Sequence, residues 1–502
     1  MSSASIELSP NKIVQYLGKP PEEFTKADLM KFIGENGIQM LNFRYVGGDG
    51  KLKTLNFVIT SRAELDRILS TGERVDGSSL FAHIDAASSD LYVIPRYRTA
   101  YVNMFAPVPT VDMLCSYYTS EGTPLASSPE SIVRRAHDSL KKQTGLTFEA
   151  MGELEYYIFY DRNPLYPAAA QSGYEESAPF CRWEKLRCET MQAIGQAGGK
   201  IKYGHSEVGH ITGDGQEVEQ HEIEFLPVPV EDAADQIVIA KWILRMIGSK
   251  YGYSITFSPK ISAGHAGSGL HIHTRLLENG KNAMVEGSKL SDTARKAIAG
   301  YTRLASSLTA FGNTVPVSYL RLVPHQEAPT NVCWGDKNRS VLVRVPLGWL
   351  GVGNMARDAN PQETEEFAGE VSNQTVEFRC PDGSANVYHL MAGLAVAARH
   401  GLQMQNALEL AEKLYVNVNI FADEHQKLQE RLPQLPTSCW DSSEALLKDR
   451  KIYEQDGVFS PSVIDAIAEG LRKHNDADLR DRLRSNEGEV IKELVARYLH
   501  CG

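Results

Sequence analysis

Cysteine pairs, long apolar runs and an excess of basic residues are all missing from this 502-residue sequence. The seven cysteines include no C-x-x-C pair, so neither a disulfide framework nor a zinc–thiolate site is expected. No stretch reaches the roughly 20 apolar residues of a membrane span, and no leader pattern precedes the first helix. The net charge of −11 argues against coating nucleic acid or anionic membrane. We therefore expect a cytoplasmic protein with neither membrane nor nucleic acid as a partner.

The order of segments predicts three regions. Residues 1–24 end in two prolines and are expected to form an N-terminal arm. Residues 25–121 contain a short helix and alternating apolar segments on either side of a glycine-rich turn at 47–50, which predicts a small α+β domain with a hairpin. A polar, turn-rich stretch follows, and residues 122–502 are expected to form a larger domain that ends in helices.

Pairs of ionisable residues two positions apart recur in four strand-like segments. The pairs are Glu153 with Glu155, Glu222 with Glu224, His271 with His273, and Glu377 with Arg379. Residues i and i+2 of a strand point to the same face, and the apolar residues between them would face a core. A solvent-facing strand would explain one such pair. Four pairs predict a sheet face that carries carboxylates, imidazoles and a guanidinium together.

These side chains include an oxygen-rich set of candidate metal ligands: Glu153, Glu155, Glu207, Glu222, His271 and Glu377. Many carboxylates with one imidazole suit Mg²⁺ or Mn²⁺ better than zinc, and six ligands are enough for two cations. Two hard cations beside arginines are typical of phosphoryl transfer. The sequence has no G-x-x-x-x-G-K-[ST] motif, so a nucleotide would not be held by a P-loop.

Taken in order from about residue 25 to about 440, several motifs resemble the glutamine synthetase family in its type I size and arrangement. They are GELEYY, QHEIE, GSGLHIH, NTVPVSYLRLVPHQEAPT, NRSVLVRVP and EFRCPDGSAN, and RVDGSSLF is similar to the ammonium-site loop of the family. The resemblance implies an α+β fold. A small β-grasp-like N-terminal domain would precede a large catalytic domain that contains an open antiparallel barrel with surrounding helices.

Position within these motifs implies a role for each candidate residue. One cation would be bound by Glu155, Glu207 and Glu222, and the other by Glu153, His271 and Glu377. ATP would be bound by His273, Arg339 and Arg344, and glutamate by Gly267, Arg321, Glu327 and Arg379. Ammonium would be bound by Asp76 and Ser79. The catalytic residues would be Asp76, Glu327 and Arg339.

The resemblance also implies an activity and an assembly. ATP would phosphorylate the γ-carboxylate of glutamate, and ammonia would displace phosphate to give glutamine, with two Mg²⁺ or Mn²⁺ ions in each subunit. The subunits would form a homododecamer of two six-membered rings, with active sites shared between neighbours. Asp76 would take a proton from ammonium, and Glu327 would close the site against water.

Three positions depart from the family pattern, and two other activities stay open. Ala266 stands where the family has an amide, Arg275 where it has serine, and Thr375 where it has a nucleotide-binding arginine. Residues 347–373 contain an insertion. A γ-glutamyl-amine (polyamine) ligase and a catalytically silent relative are the alternatives. The acidic pair Asp76 and Glu327 favours ammonium, and the intact ligand set favours catalysis.

Overall fold

The computed structural model describes residues 6–162, 165–166, 169–213, 215–323, 328–348, 355–365 and 373–502. Six strands form the N-terminal sheet, in the order β2-β1-β6-β4-β3 with β5 paired to β6. Their bounds are β1 Met40–Val46, β2 Leu52–Val58, β3 Glu73–Asp76, β4 Asp90–Pro95, β5 Tyr101–Val102 and β6 Thr110–Tyr118. The helices of this part are α1 Lys12–Leu17, α2 Lys26–Glu35 and α3 Arg62–Thr71.

The predicted hairpin is confirmed. β1 and β2 run antiparallel, with Val46 opposite Leu52, and Gly50 has the positive φ of 74° that the turn requires. β1 also lies parallel to β6, so the hairpin joins the rest of the sheet through its first strand. Helices and strands share one apolar core, to which α2 contributes Leu29.

Within the predicted N-terminal arm, residues 12–17 form α1. Ile13 and Val14 are buried in the N-terminal core, and the side chain of Asn11 accepts hydrogen bonds from the backbone amides of both. Asn11 also donates to the carbonyl of Ala100 at 3.2 Å. A helix of six residues is too short to show a clear hydrophobic period, so the sequence pattern did not predict α1. The region boundaries at 24 and 121 stay predictions.

Among the described residues, ten strands form the sheet of the second part, and seven of them follow the order β16-β17-β18-β12-β7-β9-β8. β10 and β11 also pair with β7, and β13 pairs with β12. The strands are β7 Thr147–Asp161, β8 Ile201–Gly213, β9 Gln216–Phe225, β10 Val228–Pro229, β11 Ser254–Thr256, β12 Leu270–Glu278, β13 Lys281–Asn282, β16 Trp334–Asp336, β17 Val343–Val345 and β18 Val376–Phe378. A separate hairpin joins β14 Val285–Glu286 and β15 Lys289–Leu290.

Helices surround this sheet. They are α4 Pro129–Thr144, α5 Glu184–Gln196, α6 Val230–Tyr251, α7 Asp292–Arg303, α8 Ala305–Gly312, α9 Ser318–Arg321, α10 Met355–Ala359, α11 Val387–Gln403, α12 Ala407–Lys413, α13 Gln426–Arg431, α14 Cys439–Glu454, α15 Pro461–Arg472 and α16 Leu479–Tyr498. Short 3₁₀ turns lie at Pro21–Glu23, Ala86–Ser88, Tyr97–Thr99, Asp423–His425 and Gln455–Gly457. Across the described ranges, no helix combines the length and apolar character needed to cross a bilayer.

The centre of the helical layer is α11, which is almost wholly buried and packs against α4 and α7. Glycines allow the close approach to α7. A Cβ placed on Gly300 would lie 1.9 Å from the carbonyl oxygen of Ala397, and one on Gly401 would lie 2.1 Å from that of Lys296. The helical periodicity of residues 387–413 predicts one long helix, but the structure has two helices there, α11 and α12.

Candidate active site

The strand register brings the predicted pairs to one face of the large sheet. On central strand β7, Glu153 lies opposite His271 of β12, and Glu155 lies opposite Glu222 of β9. Glu377 of β18 lies opposite His273. Residues directly opposite each other in antiparallel strands share a face, so the alternation read from the sequence places these ionisable groups side by side.

This face lines a cavity of about 400 Å³, called here the carboxylate cleft. The predicted site residues that line it are Glu153, Glu155, Glu207, Glu222, Gly267, His271, His273, Arg321, Arg339, Arg344, Glu377 and Arg379. Residues that are far apart in sequence, from Glu153 to Arg379, thus line one cavity, as the candidate site requires.

Three predicted residues are not placed in the cleft. Glu327 lies outside the described residues. Asp76 ends β3 in the N-terminal part, and neither it nor Ser79 lines the cleft. The Asp76 carboxylate accepts hydrogen bonds from the Ser79 hydroxyl at 2.6 Å and from the Ser78 hydroxyl at 2.7 Å, and these bonds hold its pKa well below the usual range. Asp76 is therefore an exposed anion at neutral pH.

Glu153 is held by two imidazoles. Its carboxylate lies 2.9 Å from Nδ1 of His271 and 2.7 Å from Nε2 of His273. Burial acts to raise the pKa of Glu153, but the two neighbouring histidines outweigh it and hold that pKa well below the ordinary value. The charged form is thus the stable one in the cleft.

Glu377 is held by two guanidinium groups. Arg344 donates to one carboxylate oxygen at 2.9 Å, and Nε of Arg379 donates to the other at 3.0 Å. Burial and the nearby Glu153 act to raise the pKa of Glu377, whereas Arg379 and the histidines lower it, and the net shift is downward. In this part of the cleft, the negative charge of Glu377 and the positive charges of Arg344 and Arg379 are thus held next to each other.

Glu222 lies among other carboxylates and has the opposite electrostatic environment. Burial, followed by the charges of Glu153 and Glu155, raises its pKa well above the ordinary value. Burial and the charge of Glu207 likewise raise the pKa of Glu155. A divalent cation among these oxygens would remove the repulsion, so the donor set fits Mg²⁺ or Mn²⁺.

Among the described residues, two groups at the cleft have ligand atoms within 4.8 Å of one another. They are Glu153 with His273 and Glu377, and His205 with Glu222 and Glu224. These groups overlap the two predicted ligand sets without matching them residue by residue. The assignment of ligands to each cation therefore stays a prediction.

Arg321 and Gly267 lie together at the end of the cleft where glutamate binding is predicted. The guanidinium of Arg321 donates to the carbonyl of Cys380 at 2.9 Å and lies 3.1 Å from Nε2 of His271. A Cβ on Gly267 would lie 2.4 Å from the carbonyl oxygen of Pro259 and 2.8 Å from Cγ of Arg321, so a larger residue there would clash with both. The carbonyl of Ala266 accepts a hydrogen bond from the Tyr157 hydroxyl.

Two of the departures from the family pattern have partners of their own. The Thr375 hydroxyl lines the cleft and lies 2.8 Å from Nδ1 of His273. Nε of Arg275 donates to the Glu149 carboxylate at 2.7 Å, and Arg275 does not line the cleft. The part of the 347–373 insertion between 355 and 365 includes α10, and its remaining residues are only partly described.

Besides Thr375, six polar side chains that were not predicted as site residues also line the described part of the cleft: Tyr174, Lys202, Tyr203, His205, Gln220 and Asn373. Glu224, which the spacing pairs with Glu222 but to which no role was assigned, lines it as well. Lys202 and Glu224 form an ion pair of 2.6 Å. Gln220 and Glu224 flank Glu222 at a spacing of two, so the strand alternation already contained their signal. Tyr174 lies outside the strands, where no periodicity could have indicated it.

Comparison with known proteins agrees with this architecture. Residues 126–490 match the family described as glutamine synthetase, catalytic domain, and residues 37–120 match glutamine synthetase, beta-Grasp domain. The glutamine synthetase of Clostridium saccharobutylicum is 30% identical over 429 residues, covering 84% of this chain and 88% of that protein. The enzyme of Thermus thermophilus is 28% identical, with coverage of 86% and 91%.

Solved structures show the same fold. Glutamine synthetase of Plasmodium falciparum, determined by cryo-electron microscopy, superposes with a TM-score of 0.73 at 20% identity, covering 91% of this chain and 97% of that one. A ligand-free GmaS gives a TM-score of 0.71 at 19% identity, with coverage of 92% and 99%. Fold and relatives define a class of ligases with a β-grasp domain and a half-barrel catalytic domain. The chain belongs to the glutamine synthetase family, which confirms the predicted family and fold class.

Proposed function

We propose that this protein uses ATP and two divalent cations to ligate glutamate and ammonium, through γ-glutamyl phosphate, into glutamine. The observation that supports this most strongly is the carboxylate cleft, in which buried carboxylates and imidazoles from four strands, β7, β9, β12 and β18, share one face with the guanidinium of Arg344 on β17. Such a set suits the transfer of a highly charged phosphoryl group.

The acidic residues would hold the cations and the arginines would hold the anions. Glu155, Glu207 and Glu222 would bind one cation, and Glu153, His271 and Glu377 the other. When bound, the cations neutralise charge on the phosphate oxygens. The guanidinium groups of Arg339 and Arg344 would stabilise the negative charge on the transferring group, and Arg321 would hold a carboxylate of glutamate.

The reaction would proceed in two displacements. An oxygen of the glutamate γ-carboxylate attacks the γ-phosphorus of ATP, and ADP leaves. The nitrogen of ammonia then attacks the acyl carbon, and phosphate leaves. Asp76 is anionic at neutral pH, so it would attract ammonium and accept its proton, while Glu327 would close the site so that water does not reach the acyl phosphate.

A coupled assay tests this proposal. Purified protein receives ATP, Mg²⁺, glutamate and ¹⁵N-labelled ammonium, and mass spectrometry follows glutamine while ADP is measured in parallel. We expect one labelled glutamine for each ADP, and we expect a Glu222→Gln variant to form neither. If the wild-type protein forms no labelled glutamine under these conditions, the proposal is wrong.

A γ-glutamyl-amine ligase is the second candidate. Ala266 provides no amide side chain beside Gly267, so the predicted glutamate pocket departs from the family pattern here. Adding hydroxylamine and a panel of mono- and polyamines to the same assay separates the two candidates, because this alternative predicts faster turnover with an amine than with ammonium.

The proposal includes an assembly. Asp76 is exposed at the end of β3 and lies outside the cleft of its own chain. A dodecamer of two six-membered rings would let Asp76 and Ser79 act at the cleft of a neighbouring subunit.

A further inference from the structure

The buried amide of Gln220 connects three segments that carry candidate site residues. Gln220 lies on β9, two positions before Glu222, and is 1% exposed. Its Oε1 accepts a hydrogen bond from the backbone amide of Gly209 at 3.0 Å. Its Nε2 donates to Oε2 of Glu155 at 2.8 Å and to the carbonyl of Gly267 at 3.1 Å. One oxygen and two N–H donors are thereby all used.

These bonds make the two oxygens of Glu155 unequal. Oε2 accepts from Gln220 and also from the backbone amide of Gly269 at 2.9 Å. Within the described ranges, no such donor bonds to Oε1, which lies 3.7 Å from Nε2 of His271. The amide therefore fixes the rotamer of the carboxylate and leaves one oxygen directed to the cleft, which is how a supporting residue orients a cation ligand.

The same amide fixes an irregular part of β8. The register between β8 and β9 shifts between Ser206 and His210, so the residues between them, including Glu207, do not follow the regular ladder. The Gln220 side chain lies against this irregularity. A Cβ on Gly209 would come within 2.5 Å of Oε1 of Gln220, so a larger residue there would displace the amide.

We propose that Gln220 is a positioning residue that arranges Glu155 and the β8 irregularity carrying Glu207 for one shared cation. This rests on the proposed function, in which those two carboxylates bind the same ion. Because the amide also anchors Gly267, it couples the geometry of the cation site to that of the glutamate site.

Titration with Mn²⁺, followed by electron paramagnetic resonance on nucleotide-free protein, tests this role directly. Gln220→Met keeps the side-chain length but removes the donors, and Gln220→Asn keeps an amide that is too short to reach. For each variant we expect one of two Mn²⁺ ions to bind about 10- to 100-fold more weakly, while the other binds as in the wild type.

His221→Gln is the matched control. His221 is equally buried on the same strand, but it faces the opposite side, where it lies 2.7 Å from Arg187. We expect this variant to lose stability in urea unfolding and to bind both ions normally. Equal weakening in the control would assign the effect to strand damage and overturn the inference.

The remaining outcomes are equally decisive. If a folded Gln220 variant binds two Mn²⁺ ions with wild-type affinity, the positioning role is wrong and the proposed function stands. If the wild-type protein binds no Mn²⁺, the positioning role of Gln220 and the proposed function are both wrong. Should Gln220→Met fail to fold, Gln220→Asn decides the question.

Discussion

At the scale of residues, alternation along strands made most of the cleft predictable. The spacing of two on β7, β9 and β12 places residues such as Glu153 and Glu155 on the same face of their strand without any knowledge of the fold. The pairing of neighbouring strands then brings these pairs together in the structure. The charged neighbours of each carboxylate could not be predicted from the spacing. That Glu377 is neutralised by arginines whereas Glu222 faces other carboxylates depends on which strands are neighbours, and single sequences do not give strand order.

Glu377→Gln tests the ligand assignment. The substitution removes a charge while leaving an oxygen that can still accept from Arg344 or Arg379. We expect turnover at limiting Mn²⁺ to fall by about 100-fold or more, since loss of a ligand exceeds the effect of losing a supporting residue. Steady-state assays over a range of Mn²⁺ concentrations measure this.

Glu130→Gln is the control for loss of a buried carboxylate. Glu130 is also buried and accepts the backbone amide of Tyr117, but it does not line the cleft. It should keep normal activity. Near-normal turnover of Glu377→Gln at limiting metal would instead show that Glu377 only pairs with arginines in the sheet wall.

At the scale of elements, the sequence predicts β-strands where alternation is clear and helices where a start signal is clear. Pro129, directly after Ser128, suits the first position of a helix, and α4 begins there. The sequence pattern failed to predict two features of about one helical turn. α1 is too short to show a period, and the break between α11 and α12 lies in a stretch, 404–406, that contains neither proline nor glycine. Tertiary packing, which a local pattern cannot contain, sets both boundaries.

Gly300→Ala tests the contact between α7 and α11. The added Cβ would overlap backbone of α11, so the helices must separate, and we expect a loss of about 3 kcal/mol in unfolding free energy. Gly470→Ala in α15 is the matched control. Nothing lies within 4 Å of its Cβ, so it should gain about 0.5 to 1 kcal/mol from helix propensity. Urea unfolding of both variants measures the difference, and equal effects would contradict the contact.

Lys241 of α6 gives the helical layer a pH dependence. It donates to the carbonyl of Gly383 at 2.7 Å, and burial, aided by Arg245, lowers its pKa to about 7. A base with a lowered folded-state pKa favours the native state when neutral. The stabilisation of the native state by neutral Lys241 is therefore complete above the pKa that this residue has in the unfolded chain. It is lost as the pH falls through the folded-state pKa of about 7.

The wild-type protein should thus gain about 2 kcal/mol between pH 7 and 9 relative to Lys241→Met, which has no group to titrate there. Urea unfolding of both proteins at the two pH values provides the comparison. Parallel pH profiles for the two proteins would show that Lys241 stays charged in the native state.

At the scale of the whole molecule, the proposed ring assembly predicts complementation between subunits. Asp76→Ala should lose ammonium-dependent synthesis, and Glu377→Gln should lose phosphoryl transfer. Co-assembled dodecamers of the two should recover part of the activity, because some shared sites combine an intact Asp76 with an intact cleft. Mass photometry verifies assembly, and each variant assembled alone is the control. A fully active monomer would exclude shared sites.

The central position of β7 has a consequence for how the protein is made. β7 emerges from the ribosome more than two hundred residues before β18, which at bacterial or eukaryotic translation speeds is roughly ten to forty seconds. During that interval the carboxylates of β7 and β9 exist without the arginines that follow. Mutual repulsion should keep the nascent sheet from closing, so we expect intracellular supply of divalent cations to influence the yield of newly synthesised, correctly folded chains.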